Sequence, residues 1–260
     1  MISGQWSPGR RDNQLAALSG QVSARRNLDI KADLRHDGCL GDHGGDPVEG
    51  EALMATERIL VLGTGNVKKG IELADLLAPY GLILKTLADF DDPLEVVEDG
   101  DSFAANAALK ATQQARHLGH WTLGEDSGIS VAALDGEPGI YSARFSGEGA
   151  TDESNNQHLI KKLGQTPLEK RQAHYTCHMA LSDPHGDVRE SVECHCHGRI
   201  RFEAAGTAGF GYDPYFEVPE YHKTFGQLGD KVKSILSHRA RAMRQLVPRL
   251  HRLILDGHWS

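Results

Sequence analysis

The chain has 260 residues, 39% hydrophobic and 25% charged, which are the proportions of a globular protein with an ample core. A formal net charge of −8 argues against a generic nucleic-acid coat, although a nucleotide site needs only local positive charge. Four cysteines with no CxxC pair give no disulfide framework and suit a reducing, cytoplasmic setting, and no apolar run reaches the roughly 18 to 20 residues that span a bilayer.

Residues 1 to about 54 mix Gly, Asp, Arg and Ser with scattered apolar residues, as in Gly38 to Pro47. Such a composition cannot offset chain entropy by burial, so this leader is predicted to be disordered. It lacks the apolar core of a secretory signal and is too acidic for a transit peptide. Met54 is a candidate start, which would make the leader a translation artefact, and residues 55–260 are expected to form the domain. Arg58 to Gly63 is a continuous apolar run, the mark of a strand buried on both faces. Thr64 to Lys69 turns the chain, and Ile71, Leu73, Ala74, Leu76 and Leu77 follow a helical period that Gly81 ends. Leu82 to Lys85 starts the next strand, and Asp91 to Gly100 reads as an acidic loop. Asp101 or Ser102 caps a long helix ending near Gly119. Trp121 to Leu123 reads as the end of a strand, and Ile129 to Leu134 as a second run of strand length. Thr151 caps a helix with Leu159, Ile160 and Leu163 on its buried face. Ala173 to Ser182 and Val188 to Phe202 flank the turn Asp183-Pro184-His185-Gly186, predicting a long antiparallel hairpin. Ser237 to Asp256 forms the closing helix, which Pro248 is expected to kink or split. Strands alternating with helices indicate an α/β sheet. In Cys194-His195-Cys196-His197, strand alternation sends the cysteines to one face and the histidines to the other, which favours a structural hairpin over a zinc site.

Four clusters carry side chains suited to chemistry. In Gly124-Glu125-Asp126-Ser127-Gly128 two adjacent acids repel unless a positive charge lies between them. A divalent cation bound to phosphate supplies that charge, and hard oxygen ligands suit Mg²⁺. The same run also reads as a polar turn whose Asp and Ser cap backbone groups. The Thr64 to Lys69 loop opens a helix, where free N–H groups and the helix dipole favour an anion, with Lys68 and Lys69 adding charge. It is not a Walker A loop, and it also reads as a surface turn with solvated lysines. Gly209 to Pro214 either offers Phe210 as a stacking face with Asp213 beside it, or is a bulge with core aromatics. Lys233, His238 and Arg239 can donate to ligand carbonyl oxygens, while Ser237 also serves as an N-cap. Lys110 on the long helix can point back to the same end of the sheet.

Taken together, Thr64-Gly65-Asn66 with Lys69 and Glu72, Ser102-Phe103 with Asn106-Ala107 and Lys110-Ala111, Glu125 to Gly128, Pro138 to Arg144, Gly209 to Pro214, Lys223-Thr224, and Lys233 with Ser237-His238-Arg239 form an ordered set. From Arg58 to about Leu255 the chain resembles the house-cleaning inosine/xanthosine triphosphate pyrophosphatases, the Ham1-like family. The resemblance implies a mixed twisted α/β sheet with flanking helices, elongated into two lobes around a nucleotide cleft as in the Ham1/Maf-like folds. It implies a homodimer and Mg²⁺-dependent hydrolysis of ITP, dITP and XTP to the monophosphate and pyrophosphate, with no nucleic-acid or membrane partner. Asp126 would be the general base and a metal contact, with Glu125 and Glu98 as further metal ligands. Thr64, Gly65, Asn66, Val67, Lys68 and Lys69 would hold the phosphates, and Ser127 would touch the nucleotide. Phe210 would stack on the base, with Gly211, Tyr212 and Asp213 shaping the same wall, and Lys233, His238 and Arg239 would read the base edge.

The chain departs from the family pattern at Ala105, where bacterial members usually carry Glu. Gln227 stands where Glu is common, Lys68 where Gly is usual, and Glu125 where Asp often stands. Other readings of the same residues are a pyrophosphatase for other modified nucleotides and a nucleotide-binding homologue that has lost catalysis, the second supported mainly by Ala105.

Overall fold

A computed structural model describes residues 58–259, so the expected leader and the candidate start at Met54 lie outside the described residues. The apolar run at the front of the domain becomes strand β1 (Ile59–Leu62), with Leu60, Val61 and Leu62 fully buried. Helix α1 (Val67–Leu77) follows, capped by Asn66, whose Oδ1 accepts the Lys69 N–H at 3.2 Å. A short 3-10 turn and Gly81, at φ 68°, end it as expected. Strand β2 (Ile83–Thr86) comes next, and the acidic loop leads to α2 (Phe103–Leu118). Of the two candidate caps for α2 the structure uses Ser102, which accepts the Ala105 N–H at 3.2 Å. Strand β3 (Trp121–Val131), helix α3 (Asp152–Leu163) capped by Thr151, and the hairpin of β4 (Gln172–Ser182) and β5 (Val188–Ile200) follow. The chain closes with β6 (Phe216–Val218), β7 (Lys223–Thr224), α4 (Phe225–Leu228), α5 (Asp230–Leu236) and α6 (His238–Leu255).

The strands form one seven-stranded mixed sheet in the order β2-β1-β3-β4-β5-β6-β7. β1 runs parallel to β2 and β3, and the pairings from β3 to β7 are antiparallel. One apolar core lies between the sheet and helices α1 and α6, built from residues such as Leu60, Leu73, Met179 and Leu246, with Trp121 stacked on Trp259 at 4.6 Å. A second core gathers Ile129, Leu159, Tyr175, Phe216 and Phe225 around α3 and the far strands. A third, small cluster joins Ala107 and Ala111 of α2 to Ala180 of β4, completing a mixed α/β sheet with flanking helices.

Two expectations need correction. The acidic run is not a turn: β3 passes unbroken from Trp121 to Val131 through Glu125, Asp126 and Ser127, paired to β4 throughout. A charged pair survives mid-strand because alternation sends Glu125 and Asp126 to opposite faces, where each meets cations brought from distant parts of the chain. Pro248 does not split the closing helix, which is one element through that position. On β5 the alternation at Cys194 to His197 holds: both cysteines are buried and His197 is exposed.

The ladder between β1 and β3 stops at Leu123, so Glu125 to Gly128 lie past the carboxyl end of β1 on an edge that β1 no longer covers. Ligand sites in parallel α/β sheets form in such a place. Gly124 sets how closely α2 approaches this edge. A Cβ there would stand 2.2 Å from the Ala107 carbonyl and 2.6 Å from the Ala111 nitrogen. Backbone on both sides leaves no soft neighbour to yield, so Gly124→Ala is expected to destabilise the fold by about 2–3 kcal/mol, measured by urea unfolding.

Candidate active site

The two faces of β3 are charged in different ways. On the α2 face, Asp126 accepts hydrogen bonds from Lys110 Nζ at 3.1 Å and Asn106 Nδ2 at 3.2 Å, and Lys110 also donates to Glu98 at 2.9 Å. Asn106 and Lys110 are four residues apart on α2 and so share a helical face. On the α6 face, Arg239 Nη2 donates to Glu125 Oε1 and to Ser127 Oγ, each at 3.0 Å, while its Nη1 pairs with Glu72. Lys69 Nζ stands 3.1 Å from Glu125 Oε2 but off the line of a hydrogen bond, so that buried oxygen has no donor.

Burial and charge compete at these groups. Burial pushes the carboxyl pKa of Asp126 up, and Glu98 and Glu125 add to this. Lys110 and Lys69 pull it down, but it settles above the usual aspartate value. Glu125 is fully buried, yet Arg239, then Lys69 and Lys110, outweigh that burial and hold it well below the usual carboxylate range. Lys110 is likewise buried, but Asp126 and Glu98 raise it above an ordinary lysine. Burial, reinforced by Arg239, holds His238 well below the usual imidazole value, so it is neutral; its Nδ1 is buried without a partner.

A cavity of about 480 Å³ opens on this edge. Of the candidates read from the sequence, it is lined by Thr64, Gly65, Asn66, Lys69, Glu98, Asp126, Ser127, Phe210, Gly211, Tyr212, Asp213, Lys233, His238 and Arg239. Lys68 lines a neighbouring cavity of about 300 Å³ that shares Phe210 and Lys233 with it, and pairs with Asp152 at 2.7 Å. Val67 lines neither cavity. Glu125 lies beneath the cleft, behind its cations. In the loop from Thr64 to Lys69, two amides are satisfied internally: Thr64 Oγ1 accepts the Asn66 N–H at 3.2 Å, and Asn66 Oδ1 that of Lys69. The Phe210 ring has Lys233 Nζ 4.2 Å from its centre and the Arg239 guanidinium at 6.0 Å. Asp213 holds this wall together, accepting from the Phe210 N–H at 2.9 Å and from Lys233 at 2.7 Å.

A model of the Ham1 family matches residues 60–249, most of the chain. The chain belongs to the Ham1 family. It is 53% identical over 201 residues to the dITP/XTP pyrophosphatase of Rhodopirellula baltica, covering 77% of this chain and 97% of that protein. It is 43% identical over 196 residues to the protein of the same name from Desulforamulus reducens, covering 75% and 97%. Among solved structures, the Ham1 proteins of Staphylococcus aureus and Coxiella burnetii superpose with TM-scores of 0.67 and 0.68, each at 34% identity and covering 75% of this chain. The superpositions cover 98% and 99% of those chains.

Three residues that the sequence singled out without assigning them a role belong to the geometry of this Ham1-family site. Lys110 and Asn106 hold Asp126, and Glu72 joins Arg239 to Lys233, from which it lies 2.7 Å. Their signal in the sequence was helical spacing, Glu72 three residues past Lys69 and Lys110 four past Asn106, and the charged partners needed to read it were far along the chain. The Gln227 departure has a local explanation: Gln227 Oε1 accepts the Thr224 N–H at 3.1 Å in a capping box, which Gln closes as well as Glu. Ala105 lies in the first turn of α2, where its N–H serves the Ser102 cap.

The oxygens expected to hold Mg²⁺ can be tested on this geometry. An ammonium, that of Lys110, already bridges Glu98 and Asp126, so these two carboxylates fit a hard cation, whereas Glu125 faces the other side of β3 with Lys69 3.1 Å from its Oε2. Among the described residues no three His, Cys, Asp or Glu side chains are gathered around one point, so Lys110 would have to yield as an ion enters.

Because removing one partner of a buried pair strands the other charge, Arg239→Met is expected to lower stability by about 3–5 kcal/mol at neutral pH, read by urea unfolding. The deficit should narrow in acid. In the wild type, the stability from Glu125's depressed pKa is present above its unfolded value and lost as pH falls through the folded one.

Proposed function

We propose that this chain hydrolyses deaminated purine nucleoside triphosphates, ITP, dITP and XTP, to the monophosphate and pyrophosphate. The observation that carries the reading is a single cleft that holds a buried carboxylate of raised pKa beside two lysines, together with an aromatic ring flanked by buried cationic donors. Relatives 53% and 43% identical that bear the name dITP/XTP pyrophosphatase support the same substrate class.

In this reading a water oxygen attacks the α-phosphorus and its proton passes to an Asp126 carboxylate oxygen. The bond from the α-phosphorus to the bridging oxygen breaks, and pyrophosphate leaves. Asn106 fixes the orientation of the base, and Lys110 keeps its charge in place. Lys69 and the positive end of α1 offer charge to the phosphates. Mg²⁺, when bound, would neutralise triphosphate charge, and the cleft-lining carboxylates Glu98 and Asp126 would hold it. At the base, hypoxanthine and xanthine carry an acceptor oxygen at C6 where adenine carries an amino donor. Lys233 and Arg239 carry only donors and leave adenine's donor facing donors, a buried mismatch of about 1–3 kcal/mol, while neutral His238 donates at the base edge in one of its two tautomers. The family resemblance extends the proposal to a homodimer.

Pyrophosphate release from ITP, XTP, dGTP and dTTP in the presence of Mg²⁺ tests the reading. Turnover is expected with ITP and XTP, and Asp126→Asn should lower kcat by at least about 10²-fold with little loss of binding. ITP binding without pyrophosphate formation in the wild type would replace the enzyme with a binding protein. The proton role has its own signature in kcat/KM, which is expected to fall with pH through an acid limb above the ordinary aspartate range. Lys110→Met should move that limb to higher pH and Glu98→Gln to lower pH, because those groups pull the Asp126 pKa down and push it up.

A further inference from the structure

Helix α3 contributes no side chain to the chemistry described above, yet its polar face reaches both walls of the cleft. Asp152, in its first turn, pairs with Lys68 of the phosphate loop. Asn155 donates to the Ala143 carbonyl at 3.2 Å and accepts the Ser146 N–H at 2.8 Å, fixing the segment that follows Ser142. Asn156, buried at 7% exposure, donates from Nδ2 to the carbonyl of Gly211 at 2.9 Å, 55 residues away in sequence.

The Asn156 contact is unusual in two respects. Its other amide atom, Oδ1, is buried and has no partner, so the residue gives up one hydrogen bond to make the other. A buried acceptor without a donor costs stability, and a carbonyl partner fixes which end of the amide faces Gly211. The peptide it grips is also placed where small shifts matter. Gly211 has φ 61°, in the left-handed region, and directly follows Phe210. The Phe210 N–H is held by Asp213 from one side, and the Gly211 carbonyl by Asn156 from the other. Between those two anchors the ring sits over Lys233.

We infer that Asn156 is a positioning residue for the nucleobase: from α3 it clamps the Gly211 peptide and so sets the Phe210 ring at its stacking height. It touches neither phosphate nor the reacting atoms, so its loss acts on base binding and leaves the proton transfer at Asp126 alone. This inference rests on the reading of the cleft as a nucleoside triphosphate site.

Steady-state kinetics with ITP on Asn156→Ala and on the shape-preserving Asn156→Leu test it, alongside inhibition by inorganic pyrophosphate, which carries no base. In both variants KM for ITP is expected to rise roughly tenfold while kcat stays within about threefold. The inhibition constant for pyrophosphate should keep its wild-type value. A lower kcat at unchanged KM would mean only fewer folded molecules, and would overturn the inference. So would a parallel rise in KM and in the pyrophosphate constant, which marks general damage to the cleft. A wild type that released no pyrophosphate from ITP would instead remove the functional reading, and this inference with it.

Discussion

A carboxylate with no solvent exposure sits in the middle of a strand, and the rest of the structure is arranged to make that tolerable. Taking Glu125 out of water costs several kcal/mol, and the cost is offset only if cations and donors arrive with good geometry. They come from far apart in the chain: Arg239 from the start of α6, Lys69 from α1, and a Cys177 thiol from β4 at 3.5 Å. Glu72 closes the network by pairing with Arg239 and Lys233 together. The charge of Glu125 is therefore satisfied only when both helices dock on the edge of β3 that β1 leaves open. The condition that folds this end of the sheet is also the one that builds the cleft, so side chains that look catalytic are partly structural counter-ions.

What could be read from the sequence follows from how local each signal is. The buried run of β1, the helix that follows the Thr64 loop, a cap for α2 at one of two candidates, the Thr151 cap, and the hairpin turn at Asp183 to Gly186 are each decided within a few residues, and all are present. The acidic run misled because its logic is not local. Two adjacent charges suggest a turn unless the partners are known, and those partners lie 16 residues away at Lys110 and 114 away at Arg239. Had a strand been assumed there, alternation alone would have sent the two acids to opposite faces. The site residues were recognisable as a set because their order along the chain is characteristic, but their division of labour was not. Asp213, read as part of a ligand wall, is wrapped by the Phe210 amide and Lys233 and holds the loop. Gln227 proved to be a helix cap.

Most cations of the cleft share one property that bears on selectivity: they are already matched to a carboxylate of the protein, whereas Arg144, which also lines the cleft, rests on the Tyr141 ring at 5.2 Å. Lys68 faces Asp152, Lys69 faces Glu125, Lys110 faces Glu98 and Asp126, Lys233 faces Glu72 and Asp213, and Arg239 faces Glu72 and Glu125. At the paired cations, binding of a polyanion becomes an exchange of partners in which only the difference counts. The exchange is easier at one end than the other. Lys68 and Asp152 are both at least half exposed, so their pairing is weak and readily surrendered. Lys233 and Arg239 are almost fully buried and are locked by Glu72 beneath the Phe210 ring. Loosely held charge suits phosphate, whose oxygens accept from many directions. Rigid donors suit a base edge, where discrimination depends on an atom of the wrong kind finding nothing that can turn to meet it.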